Sequence, residues 1–150
     1  MPNNKIDPAE LEAFRLTLPE GERHERFEWL TAVYDVVAAR FVICKHNLTS
    51  RKINVKTWAE AFGMGGPEHT DRLSFNLLTG VSDHKALEER IDPSIPIILI
   101  EHTFKAKRKT ESTTLILDGN HRLRKALLKG QLEIEAFYLP KELSKLTKLR

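Results

Sequence analysis

The fold class follows most directly from residues 113–140, which read TTLILDGNHRLRKALLKGQLEIEAFYLP. The segment begins with an apolar, β-branched run of strand length, breaks at Asp118-Gly119, and continues with the apolar spacing of an amphipathic helix. Gly130 is typical of a helix C-terminus. Residues 132–138 then alternate between apolar and polar side chains, as a half-buried strand does. The stretch therefore predicts strand, turn, helix and strand.

The flanking segments extend this pattern to an α+β fold. Residues 95–100, IPIILI, are a second apolar run of strand length, and a basic, polar linker is predicted to connect it to the strand at residue 113. Another helix is predicted after Pro140. We therefore expect a single domain over residues 1–150, with a helix-rich part in residues 1–91 and a β-β-α-β core with a C-terminal helix in residues 92–150.

The first two predicted helices rest on caps and on a stripe of apolar residues. Asp7 precedes Pro8, the arrangement of an N-cap followed by proline at the first helical position. A longer helix is predicted from Pro19 to about Lys45, because apolar residues recur every three or four positions. The stripe consists of Phe27, Leu30, Tyr34, Val37 and Phe41.

Three shorter helices are predicted before Pro93. Asn54 can cap the first, a glycine-rich break at residues 63–67 follows, a second spans about residues 70–78, and a third precedes Pro93. The first pair is weakly similar to a DNA-reading helix-turn-helix, although the break is longer than the usual turn of about three to four residues. A helical hairpin that packs on the rest of the domain is the favoured interpretation.

Composition narrows the class of protein. The chain carries a net charge of +3, and its positive residues concentrate in residues 104–110, FKAKRKT, and in the tail 141–150. Such runs are solvated surface or contact phosphates. Cys44, the single cysteine, excludes an internal disulfide and a cysteine-based zinc cluster, and is expected to be buried. Without a long apolar run or a secretion signal, a cytoplasmic location and no membrane partner are expected.

The turn between strand and helix is the candidate binding site. Gly119 permits a positive φ or a close backbone approach, and the helix is predicted to begin at about Asn120. The first helical turn presents unsatisfied N–H groups and the positive end of the helix dipole, which favour an anion. His121 and Arg122 add side-chain donors there. Asp118 is open to three roles: capping the helix, orienting His121 or holding a magnesium ion. The alternative is a purely structural turn.

This stretch resembles the ParB/sulfiredoxin superfamily, which includes the nucleotide-binding domains of ParB partition proteins, the sulfiredoxins and ParB-like free-serine kinases. The likeness runs from Ile95 to Pro140. In the serine kinases the turn reads Asp-Gly-His-His-Arg, and regulators of DNA sulfur modification carry a similar Asp-Gly-Gln-His-Arg motif. The matching positions here are Asp118, Gly119, His121 and Arg122. Asn120 stands where sulfiredoxins carry their reactive cysteine, which disfavours sulfinic acid reduction.

The resemblance implies a small mixed sheet and a nucleotide ligand, a triphosphate or diphosphate, held by residues 118–122. If the protein is an enzyme, it implies nucleotide hydrolysis or phosphoryl transfer, with His121 and Arg122 in catalytic roles and Mg²⁺ held partly by Asp118. Glu101, which follows the strand IILI, is a candidate base from its position alone. The alternatives are a DNA-binding or nuclease-like protein that contacts the phosphate backbone, and a catalytically inactive protein-interaction module. The oligomeric state is not predicted.

Overall fold

The computed structural model describes residues 5–64, 75–76 and 81–149, and its secondary structure is mixed α and β. The helices are α1 (Pro8–Leu16), α2 (Val36–Lys45), α3 (Val55–Ala61), α4 (Asp83–Ala86), α5 (Asn120–Leu128) and α6 (Lys141–Ser144). The strands are β1 (Arg26–Trp29), β2 (Ala32–Asp35), β3 (Arg51–Asn54), β4 (Phe75–Asn76), β5 (Val81–Ser82), β6 (Ile97–Ala106), β7 (Lys109–Asp118) and β8 (Glu133–Leu139). The predicted α+β class is confirmed.

The chain divides into two compact units, each built from separate segments. The first unit comprises the described residues of 1–49, 98–118 and 138–150, and the second comprises those of 50–97 and 119–137. The second unit runs through the predicted boundary between residues 91 and 92, so the compact units do not follow the division into a helix-rich part and a β-β-α-β core.

The N-terminal region of the first unit is only partly as predicted. α1 is capped by Asp7, whose carboxylate accepts a hydrogen bond from the Ala9 amide at 2.9 Å. The single helix from Pro19 to Lys45 is wrong, because the antiparallel hairpin β1–β2 occupies its first half. Leu30, with φ 54°, lies in the turn of this hairpin. A helix begins only at Val36, where the carboxylate of the preceding residue caps its first turn.

The core of the first unit lies around α2 and the hairpin of β6 and β7. α2 is buried over most of its length. β6 and β7 are antiparallel, with Glu101 opposite Thr114 and Ala106 opposite Lys109. The predicted polar linker between two short strands is wrong: both strands continue through it to a two-residue turn, Lys107-Arg108. Thr, Glu and Lys residues form strands here without apolar alternation, because cross-strand pairing satisfies their backbone groups.

The second unit is assembled around α5. The predicted Asn54 cap of α3 is confirmed, since its side-chain oxygen accepts from the Thr57 amide at 2.8 Å. β3 pairs with β8 in antiparallel register, and α3 and α4 both contact α5. The apolar face of α5 is buried as predicted, and a left-handed Gly130 follows the helix.

The helix predicted over about residues 70–78 is wrong where it can be compared. Residues 75–76 form β4, which pairs with β5 in antiparallel register. The rest of that helix, like the glycines at positions 65 and 66, lies outside the described residues. A continuous second helix of a helix-turn-helix is therefore not formed at this position.

The exposure of the single cysteine differs from the expectation. Cys44 is exposed, not buried as expected, because it lies on the solvent side of the last turn of α2. In the part of the chain that the structure describes, no helix has the length and apolar character needed to cross a membrane.

Candidate functional site

The candidate site is the first turn of α5, Gly119–Arg122, hereafter the α5 turn. Gly119 has φ 109° and ψ 17°, and a Cβ placed on it would lie 2.4 Å from Cγ2 of Ile97. Only glycine fits both the dihedral angles and the space. Ile97 opens β6, so the absence of a side chain at Gly119 lets the start of the helix pack against the start of a strand. This packing positions the helix N-terminus.

The N-terminus of α5 has no side-chain cap among the described residues. Gly119 is the N-cap residue, and its carbonyl accepts the first helical hydrogen bond, from Leu123 N at 3.0 Å. The predicted alternative in which Asp118 caps the helix is therefore wrong. The first N–H groups of a helix lack intrahelical acceptors and lie at the positive end of its dipole, so an anion is stabilised there.

His121 is the least satisfied polar side chain of the turn. Its Nε2 is buried and has no hydrogen-bond partner among the described residues. Burial lowers the pKa of His121 below its ordinary value, nearby Lys85 and Arg90 lower it further, and Glu88 opposes them. The imidazole is consequently neutral at pH 7 and holds one proton, on either ring nitrogen. A neutral histidine with an unused nitrogen can donate to, or accept from, a bound group.

Arg122 has a structural contact that the sequence did not indicate. Its Nη1 donates to the carbonyl oxygens of Ile95 at 3.2 Å and Pro96 at 2.5 Å. The guanidinium thus holds the segment that leads into β6 against α5. Arg122 is also the predicted donor to a bound phosphate. A phosphate contact would therefore have to form while the guanidinium holds these two carbonyls.

Two further cations of α5 hold backbone of the second unit. Arg124 is buried, 2% exposed, and its Nη1 donates to the Met64 carbonyl at 2.7 Å. Lys125 donates from Nζ to the carbonyl oxygens of Glu88 and Ile91 at 2.9 and 2.7 Å. Their acceptors are distant backbone carbonyls, which no sequence pattern identifies.

Asp118 belongs to the first unit and forms an ion pair there. Its carboxylate lies 3.2 Å from Nη2 of Arg40, which is also 3.3 Å from the Glu25 carboxylate. Arg40 extends from α2, so the pair ties the end of β7 to that helix. Asp118 therefore already has a cationic partner, and a magnesium ion at its carboxylate would compete with Arg40.

Glu101 occupies a cross-strand position in the first unit. Its carboxylate accepts a hydrogen bond from Oγ1 of Thr114, the residue opposite it in β7. It lies three residues along β6 from Ile98, the partner of Asp118, or about 10 Å. Glu101 and Asp118 are thus not neighbours, and Glu101 as a base stays a prediction.

The described residues contain no group of three His, Cys, Asp or Glu side chains placed to hold a metal ion. Asp118 offers Mg²⁺ a carboxylate oxygen, the ligand type that this ion prefers, but the carboxylate is already paired with Arg40. The α5 turn suits an anion better than a cation, since it presents N–H groups and positive side chains nearby. Mg²⁺ thus stays a prediction.

No protein-family model, curated protein or solved structure matches this chain. The likeness to the ParB/sulfiredoxin superfamily consequently rests on residues 95–140 alone and stays a prediction.

Proposed function

We propose that the α5 turn binds the phosphate groups of a nucleoside triphosphate or diphosphate. The observation that carries this proposal is the buried Nε2 of His121, which has no partner among the described residues and belongs to the first turn of a helix without a side-chain cap. A buried polar atom without a hydrogen bond destabilises the native state. A ligand that supplies the missing partner at this position removes that cost.

Phosphate is the chemical group that fits these surroundings best. The N–H groups at the start of α5 can donate to its oxygens, and the helix dipole favours its charge. Lys85, whose positive charge lowers the pKa of His121, attracts the same anion, whereas the charge of Arg90 is paired with Glu88. A bound phosphate would in turn raise the pKa of His121 and favour the imidazolium, which donates from both nitrogens.

The proposal also gives the same histidine a catalytic role. The ParB-like resemblance implies nucleotide hydrolysis or phosphoryl transfer, and His121 is the residue of the α5 turn able to carry a proton near neutral pH. Catalysis would need an acceptor and a base in addition. Release of inorganic phosphate from the bound nucleotide tests this extension separately from binding.

A thermal-shift experiment tests the proposal, with ATP, ADP, CTP and GTP, each with and without Mg²⁺. A ligand that binds only the native state stabilises it by about 2.7 kcal/mol at 100 times its Kd. For a chain of this size the Tm should then rise by about 5–10 °C. We expect at least one nucleotide to do this with the wild type.

Matched variants show whether the α5 turn is responsible. His121→Gln should lose the nucleotide-dependent shift, whereas His46→Gln, which changes an exposed histidine at the end of α2, should keep it. Absence of a shift with every nucleotide, or an equal shift in the His121 variant, would contradict the proposal. In the first case the inactive interaction module becomes the better interpretation.

A further inference from the structure

The positive charge of the chain concentrates in the distal part of the hairpin of β6 and β7. Residues 103–112, hereafter the hairpin tip, contain four cations and one carboxylate, for a net charge of +3. The whole chain also has a net charge of +3, so all its other residues together are electrically balanced. The cations are Lys105, Lys107, Arg108 and Lys109. All four are exposed, and within the described residues none of them forms an ion pair.

The turn at the end of this hairpin has unusual residues for its geometry. Lys107 and Arg108 have φ 47° and 69°, so both central residues lie in the left-handed region. Hairpins with two such residues favour Asn-Gly, because glycine has no Cβ and the short polar side chain of Asn tolerates the left-handed region, whereas longer side chains are strained there. Two long cations therefore occupy positions where local stability favours uncharged turn residues. The two charges thus lie at the exposed end of the hairpin in spite of this local cost in stability.

The shape of the hairpin tip fits a groove of duplex DNA. Its cross-strand pairs run from Thr103–Ser112 to Ala106–Lys109, and most of its residues are exposed. Three residue steps and a turn extend about 10 Å or more, comparable with the depth of about 8.5 Å of the major groove. The major groove of B-DNA admits a two-stranded ribbon, whereas the deep, narrow major groove of A-form RNA does not.

We propose that the hairpin tip is a duplex-DNA-binding ribbon, inserted into the major groove with its four cations against the phosphates of the two flanking strands. The polar residues Thr103, Thr110 and Ser112 lie along the same ribbon and provide hydroxyl groups for the groove floor or the backbone. This inference concerns the first unit only and does not depend on nucleotide binding by the α5 turn.

The test is a fluorescence-anisotropy titration of the full chain with a labelled duplex of about 20 base pairs, without nucleotide. We expect micromolar affinity at about 50 mM salt and a linear fall of log affinity with log salt, since each phosphate contact contributes about −0.9 to the slope. Lys107→Asn/Arg108→Gly removes two cations and introduces the favoured turn residues. It should bind at least about tenfold more weakly, with a slope shallower by about 2.

A matched control separates position from charge. Lys141→Gln/Lys145→Gln removes two exposed cations from the C-terminal segment of the same unit and should keep the affinity within about twofold. The urea midpoint of the turn variant should not fall below that of the wild type, which shows that its lost binding is not unfolding. Equal losses in the two variants, or an unchanged affinity in the turn variant, would overturn the proposal.

The identity of the nucleic acid is tested in the same assay. Duplex DNA should bind more tightly than duplex RNA or single-stranded DNA of the same length, because only the first offers the wide major groove. Equal or tighter binding of either of the other two would overturn the groove insertion. Absence of binding to all three at about 50 mM salt would overturn the assignment of the hairpin tip to nucleic acid.

Discussion

Gly119 packs directly on Ile97: a Cβ on the glycine would lie 2.4 Å from Cγ2 of the isoleucine, at a backbone φ of 109°. Helix α5, which carries His121, thus begins where the backbone of Gly119 touches the side chain of Ile97, the first residue of β6. Both the angle and the contact require glycine. The position of the α5 turn therefore depends on this glycine as well as on the charged residues of the helix.

Gly119→Ala should destabilise the protein by about 2–4 kcal/mol, because strain from the positive φ adds to overpacking against Ile97. Gly130→Ala is the matched control, since Gly130 has φ 73° but a Cβ added there would meet no atom within 4 Å. The strain of the positive φ alone should lower the free energy of unfolding of Gly130→Ala by about 1 kcal/mol. Urea denaturation measures both values, and equal losses would contradict the contact with Ile97.

Arg122→Ala should lower the free energy of unfolding by about 1–3 kcal/mol, because the carbonyls of Ile95 and Pro96 lose their donor. Lys129→Ala, a position just after the same helix, should change stability by less than about 0.5 kcal/mol. A loss of ligand binding in Arg122→Ala is informative only after its stability has been measured.

The ion pair between Arg40 and Asp118 should show measurable coupling. Its side chains are 29% and 15% exposed, and a double-mutant cycle with alanine should give about 0.5–1.5 kcal/mol. The pair of Lys45 and Glu10 is a control at 3.1 Å, with side chains about half exposed. Its coupling should be no more than about 0.5 kcal/mol. Similar couplings for both pairs would show that partial burial of Asp118 has little effect.

Stability should fall as the pH decreases below about 6.5, because two histidines have lowered pKa values in the folded state. Burial is the first cause for His102 and for His121, and Lys148 adds to it at His102. The unfolded chain takes up protons at these residues at a higher pH than the native state does. The stability that these neutral histidines contribute is therefore fully present above the unfolded pKa. It is lost progressively as the pH falls from the unfolded pKa to the folded pKa.

Urea midpoints on either side of the unfolded histidine pKa, at about pH 7 and about pH 5.5, check this pH dependence. His121→Gln should reduce the difference between the two midpoints. A difference that is the same in wild type and His121→Gln would contradict a lowered pKa at His121. His102 is a less clean target, because its Nδ1 is hydrogen-bonded to the Tyr34 hydroxyl at 2.6 Å.

Sequence reasoning succeeded where several local preferences agreed. In residues 113–140 the apolar run, the Asp-Gly break, the helical spacing and Gly130 all indicate the same elements. It failed between Pro19 and Asp35, because apolar residues three or four apart also fit two short strands joined by a turn. The later cap at Asp35, which accepts from the Val37 amide at 2.9 Å, was the available signal for the true helix start.

The candidate site was only partly accessible from the sequence. The glycine turn and the helix start were predictable, since turn chemistry is local. The partners of Arg122 and Arg124 were not, because each is a backbone carbonyl distant in sequence. The continuation of β6 and β7 through the polar residues was also missed, since the turn at Lys107-Arg108 has neither Asn nor Gly.

The most direct test of nucleotide binding is a titration of the ¹⁵N-labelled protein with the nucleotide that gives the largest thermal shift, followed by NMR of the backbone amides and of the His121 ring. We predict saturable shifts at the amides of Asn120, His121 and Arg122, together with a rise of the His121 pKa on binding. Shifts confined to other parts of the chain, or an unchanged His121 ring, would contradict a phosphate site at the α5 turn.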